Sequence, residues 1–190
     1  SVIVSDGQKT QMITKGAVEE ILGISTMVDY QGNVSPITNA IKENIKKITK
    51  DLNKQGLRVV AVCQKNNLEK TSEFTVADEK NMVLIGFIGF LDPPKESAKS
   101  SIEKLNKNGI RVIVLTGDNV EVTKCICDRV GIKSPQIVIG SQIDKLQDIA
   151  VKRLLKKTNV FAKLSPIQKA RIVRLLRDSG NVVGYMGDGI

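Results

Sequence analysis

Apolar positions in the first ninety residues form short strand-like runs and one long helical pattern. The runs with strand character are Val2–Val4, Met12–Thr14, Leu57–Cys63 and Met82–Phe90. Between Pro36 and Gln55, isoleucine and leucine recur every three or four residues, which is the spacing of one helix face. Gly56 follows at the position expected for a helix C-terminal cap. This mixture predicts an α+β domain over residues 1–91, in which an antiparallel sheet is covered by helices.

From Leu91 onward, strand and helix patterns alternate regularly. The predicted strands are Ile110–Leu115, Gln136–Ile139, Asn159–Leu164 and Val182–Met186. The predicted helices are one that ends at Gly109, Val120–Val130, Ile143–Leu155, and one from Ser165-Pro166 to about Asp178. Such alternation predicts an α/β fold with a doubly wound parallel sheet over residues 92–190, whose site lies at the carboxyl ends of the strands. Asp92-Pro93-Pro94 is the predicted boundary, because proline lacks the N–H that a sheet ladder needs.

Composition narrows the class of protein. The longest apolar stretch, Met82–Leu91, is about half of the roughly 20 residues that span a bilayer, and no signal peptide is evident, so a soluble protein is expected. The net charge of +9 is compatible with nucleic-acid binding. However, the lysines are spread over predicted helix surfaces without interleaved aromatic residues, which favours solvated helix faces instead. A phosphate-bearing small ligand such as ATP suits the charge equally well. The 190 residues contain 3 Cys and no His, which makes a zinc site improbable and excludes a histidine general base.

Three polar features follow predicted strands of the second part. Thr116-Gly117-Asp118 comes directly after the run Ile110–Leu115, Lys169 lies in the first turn of the helix opened by Ser165-Pro166, and Asp188 follows the last predicted strand. A hydroxyl can bind a phosphoryl oxygen, an ammonium can neutralise developing charge, and a carboxylate can hold Mg²⁺. Each feature alone is as well explained by a turn or a solvated lysine. Together, at one edge of a sheet, they indicate phosphoryl transfer.

The order of these motifs resembles that of P-type cation-transporting ATPases, which belong to the haloacid-dehalogenase superfamily. The matching stretches are Lys15-Gly16-Ala17, Gln55–Val62, Asp92-Pro93-Pro94, Thr116-Gly117-Asp118, Phe161–Pro166 with Lys169, and Met186–Gly189. The stretches around Phe90–Glu96 and Val182–Gly189 are similar to those of bacterial magnesium-transporting members. The resemblance covers nearly the whole chain. It implies the C-terminal part of a nucleotide-binding domain over 1–91 and most of a Rossmann-like phosphorylation domain over 92–190.

The resemblance also implies roles for individual residues. Lys15, Gly16 and Arg58 would bind the nucleotide, with ATP and Mg²⁺ as cofactors. Thr116 and Gly117 would hold the phosphoryl group, Asp118 would orient the closed state, Lys169 would pair with the phosphoryl group, and Asp188 would ligate Mg²⁺. Asp92-Pro93-Pro94 would act as a hinge. The implied partners are ATP, the transmembrane and actuator domains of the same intact polypeptide, and a transported cation bound elsewhere; nucleic acid is not among them, and the chain would lie on the cytoplasmic side of a membrane protein.

The departures from the family pattern bear on activity. No D-K-T-G-T stretch occurs, so the aspartate that accepts the phosphoryl group is missing from this sequence. Lys163 stands where many relatives have Arg, which would cost a bidentate contact. The chain by itself is therefore expected to be inactive. Two alternatives stay open: a soluble haloacid-dehalogenase-type phosphatase, for which no D-x-D nucleophile is apparent, and a non-enzymatic nucleotide- or nucleic-acid-binding module.

Overall fold

A computed structural model describes residues 1–5, 9–68, 73–133 and 135–187 of the chain. Its contacts divide the chain into two compact units. The first comprises Ser1–Asn53 and Leu57–Leu91, and the second comprises Lys54–Gly56 and Asp92–Ile190. The division after Leu91 falls where the prolines interrupt the strand pattern.

The first unit is built on a six-stranded sheet. Its strands are β1 (Val2–Ser5), β2 (Thr10–Gly16), β3 (Ser25–Tyr30), β4 (Asn33–Pro36), β5 (Leu57–Asn66) and β6 (Met82–Leu91). They are ordered β1-β2-β5-β6-β3-β4, and every neighbouring pair is antiparallel except β3 and β6, which run parallel. The predicted antiparallel sheet is therefore a mixed sheet. The parallel pair arises because β3 is placed beside β6 by non-local packing, which local sequence patterns do not report.

Two helices and a short 3₁₀ turn complete this unit. They are α1 (Val18–Ile24), α2 (Asn39–Lys54) and the 3₁₀ turn Val76–Asp78. Helix α2 begins at Asn39 rather than at the predicted Pro36, because Pro36 pairs with Met27 in the sheet. The core of the unit is almost wholly aliphatic. Its buried members are Met12, Val18, Ile21, Leu22, Ile45, Ala61, Cys63, Met82 and Leu84.

The β3–β4 hairpin was not predicted from the sequence. Its turn residues Gln31 and Gly32 both have positive φ, 54° and 84°, as a two-residue hairpin turn with the correct twist requires. Asp29 supports the turn by accepting a hydrogen bond from the Gly32 N–H at 2.8 Å. Gln31 occupies the first turn position, where Asn, Asp or Gly is usual, and this weakened the sequence signal for the hairpin.

The second unit contains a three-stranded parallel sheet. Its strands are β7 (Val114–Leu115), β8 (Ile137–Ile139) and β9 (Val160–Ala162), in the order β7-β9-β8. Parallel strands that alternate with helices agree with the predicted α/β class. The sheet is smaller than predicted, since β7 is only two residues long and Ile110 is 53% exposed.

The predicted last strand, Val182–Met186, is wrong for this structure. Residues 181–186 have no regular secondary structure, and the side chains of Val182 and Met186 are exposed. A strand needs a hydrogen-bonding neighbour as well as an apolar pattern. Within the described ranges, no strand pairs with residues 182–186.

The described part of the second unit also contains helices. They are α3 (Ser97–Lys107), α4 (Val120–Arg129), α5 (Gly140–Asp144), α6 (Asp148–Lys157) and α7 (Pro166–Arg177). The single helix predicted over Ile143–Leu155 is therefore two helices, interrupted between Asp144 and Asp148. Arg171 explains the break, because its guanidinium donates to the carbonyl oxygens of Ile143 at 3.0 Å and Leu146 at 2.7 Å. These carbonyls at the end of α5 are satisfied by a side chain instead of by continued helix.

Candidate functional site

The carboxyl ends of β7 and β9 lie side by side at one edge of the parallel sheet. Thr116-Gly117-Asp118, here called the TGD loop, follows β7 directly, and residues 163–165 follow β9. Thr116 extends the pairing by donating its N–H to the carbonyl oxygen of Phe161 at 3.0 Å. In parallel sheets this edge is where ligands bind. The structure thus places Thr116, Gly117 and Asp118 where a site is expected.

The TGD loop is closed by hydrogen bonds between its own members. The Thr116 hydroxyl donates to Asp118 Oδ2 at 2.8 Å and accepts from the Asp118 N–H at 3.1 Å. Both side chains are half-buried, so this pairing is partly shielded from water. The carboxylate therefore fixes the rotamer of the hydroxyl. An anion that binds the hydroxyl would compete with Asp118 for its proton.

Gly117 leaves the face of this loop open. A Cβ added there would meet only the Leu164 carbonyl oxygen, at the ordinary contact distance of 3.5 Å. Its φ is outside the left-handed range, so neither backbone strain nor crowding within the described chain demands glycine. The absence of a side chain leaves room for a ligand to approach the backbone.

Residues 163–165, here called the connecting segment, tie the TGD loop to helix α7. The Lys163 N–H donates to the Asp118 carbonyl oxygen at 2.8 Å, and the Leu164 N–H donates to the Thr116 carbonyl oxygen at 3.0 Å. Lys163 has φ of 51°, a left-handed conformation that is uncommon outside glycine. Backbone strain of this kind persists only where the surrounding contacts hold it, and here it coincides with the candidate site.

Lys169 lies in the first turn of α7, four residues after the end of the connecting segment. Ser165 caps this helix by accepting from the Gln168 N–H at 3.3 Å, and Pro166 occupies the first turn, as predicted. The Lys169 N–H donates to the Ser165 carbonyl oxygen at 3.1 Å. Within the described ranges, the half-buried Lys169 side chain forms no ion pair. Its ammonium is thus available to an anion near the helix N-terminus, which itself favours negative charge.

The structure describes only some of the residues that bear on the predicted Mg²⁺ site. Asp188 lies outside the described residues. Among the residues that are described, no three His, Cys, Asp or Glu side chains gather in a way that could hold a metal. The Asp118 carboxylate is present at the sheet edge, and a single carboxylate with water and phosphate oxygens is a donor set that suits Mg²⁺.

Two of the candidate nucleotide residues of the first unit, Lys15 and Arg58, lie on one face of the sheet, whereas Gly16 belongs to the opposite face. Lys15 pairs with Val62 and Gly16 pairs with Ala61 across the β2–β5 ladder. Because side chains alternate along a strand, Lys15 shares its face with Val62, Val60 and Arg58. The opposite face carries Ala61 and packs against the helices of the core. Lys15 and Arg58 are both exposed and lie about 13 Å apart along the strand direction, from four residues at the usual rise.

A depression of about 360 Å³ lies at the other end of β2 and does not involve these residues. It is lined by Val4, Lys9, Thr10, Gln11, Asn66 and Asn67. The structure therefore brings Lys15 and Arg58 to one face of the sheet and Gly16 to the other, and none of the three lines this depression. Asp92, Pro93 and Pro94 lie between β6 and α3, at the division between the two units.

Three residues around the connecting segment were not predicted from the sequence to belong to the site, namely Gln168, Asp144 and Gly140. Gln168 bonds both Ser165 and Asp144, and Gly140 packs closely against Gln168 and Lys163. The pattern Ser165-Pro166-Ile167-Gln168 is a capping box, which could have identified Gln168 from the sequence. No local pattern reports its bond to Asp144, 24 residues earlier.

Comparison with known proteins identifies the class to which this fold and site belong. A family model described as P-type ATPase, cytoplasmic domain N, matches residues 1–97. The chain therefore belongs to the P-type ATPase family, as its motifs predicted. None of the helices in the described ranges is long and apolar enough to cross a membrane.

Individual relatives support this assignment over the whole chain. The magnesium-transporting ATPase, P-type 1, of Escherichia coli (strain K12) is 42% identical over 191 residues, which cover 100% of this chain and 21% of that protein. The protein of the same name from Salmonella typhimurium (strain LT2) is 41% identical over 189 residues, with the same coverage. The calcium-transporting ATPase 1 of Bacillus cereus is 32% identical over 180 residues, 94% of this chain and 20% of that protein. The chain thus spans about a fifth of the length of these relatives.

Proposed function

We propose that this chain is the part of an ATP-driven cation pump that binds ATP and carries the phosphoryl-transfer site. The observation that supports it most directly is the hydrogen-bonded sheet edge, where the TGD loop is joined through the connecting segment to the helix that carries Lys169. This edge occurs in a chain that belongs to the P-type ATPase family. The second unit would then be a phosphorylation domain with a haloacid-dehalogenase-type fold.

Each group at the edge has a role that its chemistry supports. The Thr116 hydroxyl and the backbone at Gly117 would bind oxygens of the phosphoryl group, and Lys169 would neutralise the charge that develops on it. Asp118, already bonded to Thr116, would orient the loop. Asp188 would ligate Mg²⁺, which supplies further neutralisation of phosphate charge when bound.

The first unit would bind the nucleotide. Lys15 and Arg58 would contact ATP phosphates, since both are exposed cations on the same sheet face. Gly16, next to Lys15 at the end of β2, would contribute its backbone to the nucleotide site. Asp92-Pro93-Pro94 would serve as a hinge that lets the first unit deliver ATP to the second.

Turnover would need more of the polypeptide than this chain. The sequence contains no D-K-T-G-T stretch, so an acceptor aspartate from elsewhere in the intact protein would form the aspartyl phosphate. The partners would be the transmembrane and actuator domains of the same polypeptide, with the transported cation bound outside this chain and the chain itself on the cytoplasmic side. Magnesium is the proposed cation, because the two relatives named as magnesium-transporting are more similar than the one named as calcium-transporting.

The experiment is a backbone-amide NMR titration of the chain with ATP, with and without Mg²⁺. We expect shifts at Lys15, Gly16, Ala17 and Arg58, and we expect Lys15→Met and Arg58→Met each to weaken binding by about tenfold, from the loss of a charge-assisted hydrogen bond. Lys47→Met is the matched control, because it removes an exposed lysine on α2. If the spectrum stays folded but these amides do not move, or if the control weakens ATP binding equally, the nucleotide assignment is wrong.

A further inference from the structure

The side chain of Gln168 joins two parts of the second unit. Its Oε1 accepts from the Ser165 N–H at 2.8 Å, and its Nε2 donates to Asp144 Oδ2 at 2.7 Å. Both ends of the amide are therefore used, and its orientation follows from having one donor partner and one acceptor partner. Through this amide the end of α5 is attached to the start of α7.

The connecting segment is held in place by hydrogen bonds from its three consecutive backbone N–H groups. Those of Lys163 and Leu164 donate to the carbonyl oxygens of Asp118 and Thr116, and that of Ser165 donates to Gln168. The connecting segment is thus held on one side by the TGD loop and at its end by Gln168. Because Lys169 is the next residue along the chain, a shift of the Gln168 backbone moves the backbone of Lys169 relative to the TGD loop.

The bond to Asp144 goes beyond ordinary helix capping. A capping box needs only the reciprocal bonds between Ser165 and Gln168. The further bond fixes Gln168 to a helix that neither precedes nor follows α7 in immediate sequence. Gly140 lies so close that an added Cβ would overlap Gln168 Oε1, which shows that the amide is confined from a third direction.

We propose that Gln168 is a positioning residue, whose side-chain amide sets the place of Lys169 relative to the TGD loop by linking Asp144 to Ser165. The proposal rests on the proposed function in one respect, namely that Lys169 and Thr116 act on the same phosphoryl group. The geometric part can be tested without any ligand.

The test first breaks the Gln168–Asp144 hydrogen bond in the 190-residue chain and then restores it with donor and acceptor interchanged. Gln168→Glu keeps an acceptor for the Ser165 N–H but places a carboxylate against Asp144. The double variant Gln168→Glu with Asp144→Asn restores one donor and one acceptor with the direction reversed. Asp144→Asn alone and Gln168→Met complete the set. Amide hydrogen exchange of Lys163, Leu164 and Ser165 is measured by NMR and compared with that of Phe161 and Ile172, which lie in the core.

We expect Gln168→Glu and Gln168→Met to speed exchange at the connecting segment by about tenfold relative to the core amides, the effect of about one net hydrogen bond. The double variant should return to within about threefold of the original protein, because its hydrogen bond is re-formed at slightly altered geometry. A helix cap with no positioning role would instead alter all amides of the second unit in proportion to global stability. Uniform exchange changes, or failure of the double variant to recover, would overturn the proposal.

Inorganic phosphate serves as the probe that separates this proposal from the proposed function. Amide shifts at Thr116, Gly117 and Lys169 on phosphate addition are expected in the original protein, and we expect them to be lost in Gln168→Glu and regained in the double variant. Selective exchange effects without any phosphate response in the original protein would count against the proposed function alone. A phosphate response that persists unchanged in Gln168→Glu would overturn the positioning role.

Discussion

Substitution of Gly140 by Ala tests how tightly the candidate site is packed. Gly140 begins α5, and an added Cβ would overlap Gln168 Oε1 and lie 2.6 Å from the Lys163 carbonyl oxygen. The side chain of Gln168 could move, but the carbonyl belongs to the strained connecting segment. Its displacement would disturb the bonds that Lys163 and Leu164 make to the TGD loop.

The expected cost follows from three contributions. Insertion of a methyl group into a well-packed region costs about 1–3 kcal/mol, and disturbance of the Ser165–Gln168 cap costs about 1 kcal/mol. Alanine gains up to about 1 kcal/mol over glycine in helix propensity. The second unit should therefore lose about 1–3 kcal/mol of unfolding free energy, which lowers its urea midpoint by about 0.5–2 M at an m value of about 1.5–2 kcal/mol per M.

The assay must report on the second unit separately, and the chain contains no tryptophan that could do so by fluorescence. Urea unfolding is therefore followed through amide NMR peaks of buried residues, Phe161 and Ile172 for the second unit and Met12 and Leu84 for the first. Gly184→Ala is the matched control, since nothing lies within 4 Å of its added Cβ. The double variant Gly140→Ala with Gln168→Ala should cost less than the sum of the two single changes, because one overlap is removed.

The reasoning would be refuted by equal midpoints for Gly140→Ala and Gly184→Ala. The reasoning would also fail if the stability loss of the double variant equalled the sum of the two single losses, because the close approach between residue 140 and Gln168 would then make no contribution to stability. A loss of stability in the first unit of the same size as in the second would show that the effect does not arise at this contact.

Three further predictions concern other parts of the chain. The guanidinium of Arg171 holds the pKa of Asp148 below its ordinary value, so the stability that this carboxylate contributes is present at neutral pH and lost as pH falls below about 4. Asp148→Asn should therefore reduce the fall in the unfolding free energy of the second unit at acid pH, and an unchanged pH dependence would contradict this. Burial raises the pKa of the Cys127 thiol to about 11, so it should react with iodoacetamide more slowly than the half-buried Cys125, as peptide mass spectrometry would show, and equal rates would contradict the burial. Gly23→Ala in α1 meets no atom within 4 Å and should stabilise the first unit by about 0.5–1 kcal/mol in urea unfolding, whereas a loss would indicate hidden crowding.

Some elements could be predicted from the sequence because their signals are local. The 3–4 spacing of isoleucine and leucine identified α2, and Ser165-Pro166 identified the start of α7 to the residue. The strands β5 and β6 were predicted because each is a long apolar run that ends at a clear stop signal. Cap chemistry and side-chain periodicity act within a few residues, so the amino-acid order alone determined these elements, as it did the order of the family motifs.

Other features were decided by tertiary structure. The run Val182–Met186 has the composition of a strand, yet it forms none in the described chain because strand formation depends on a hydrogen-bonding neighbour. The helix pattern over 143–155 is continuous, yet Arg171, distant in sequence, satisfies the carbonyls that end α5. The parallel pairing of β3 with β6 depends on a neighbour far away along the chain.

The candidate site depends both on local sequence motifs and on tertiary structure. The sequence by itself determined which residues are proposed to carry the chemistry, because Thr116, Asp118 and Lys169 belong to recognisable local motifs. Only the tertiary structure decided how they are held, through the bonds of Lys163 and Leu164 to the TGD loop and the amide of Gln168 bound to Asp144. The physical reason is that a hydrogen bond between distant residues depends on the relative position of whole elements, and that position results from packing of the entire core.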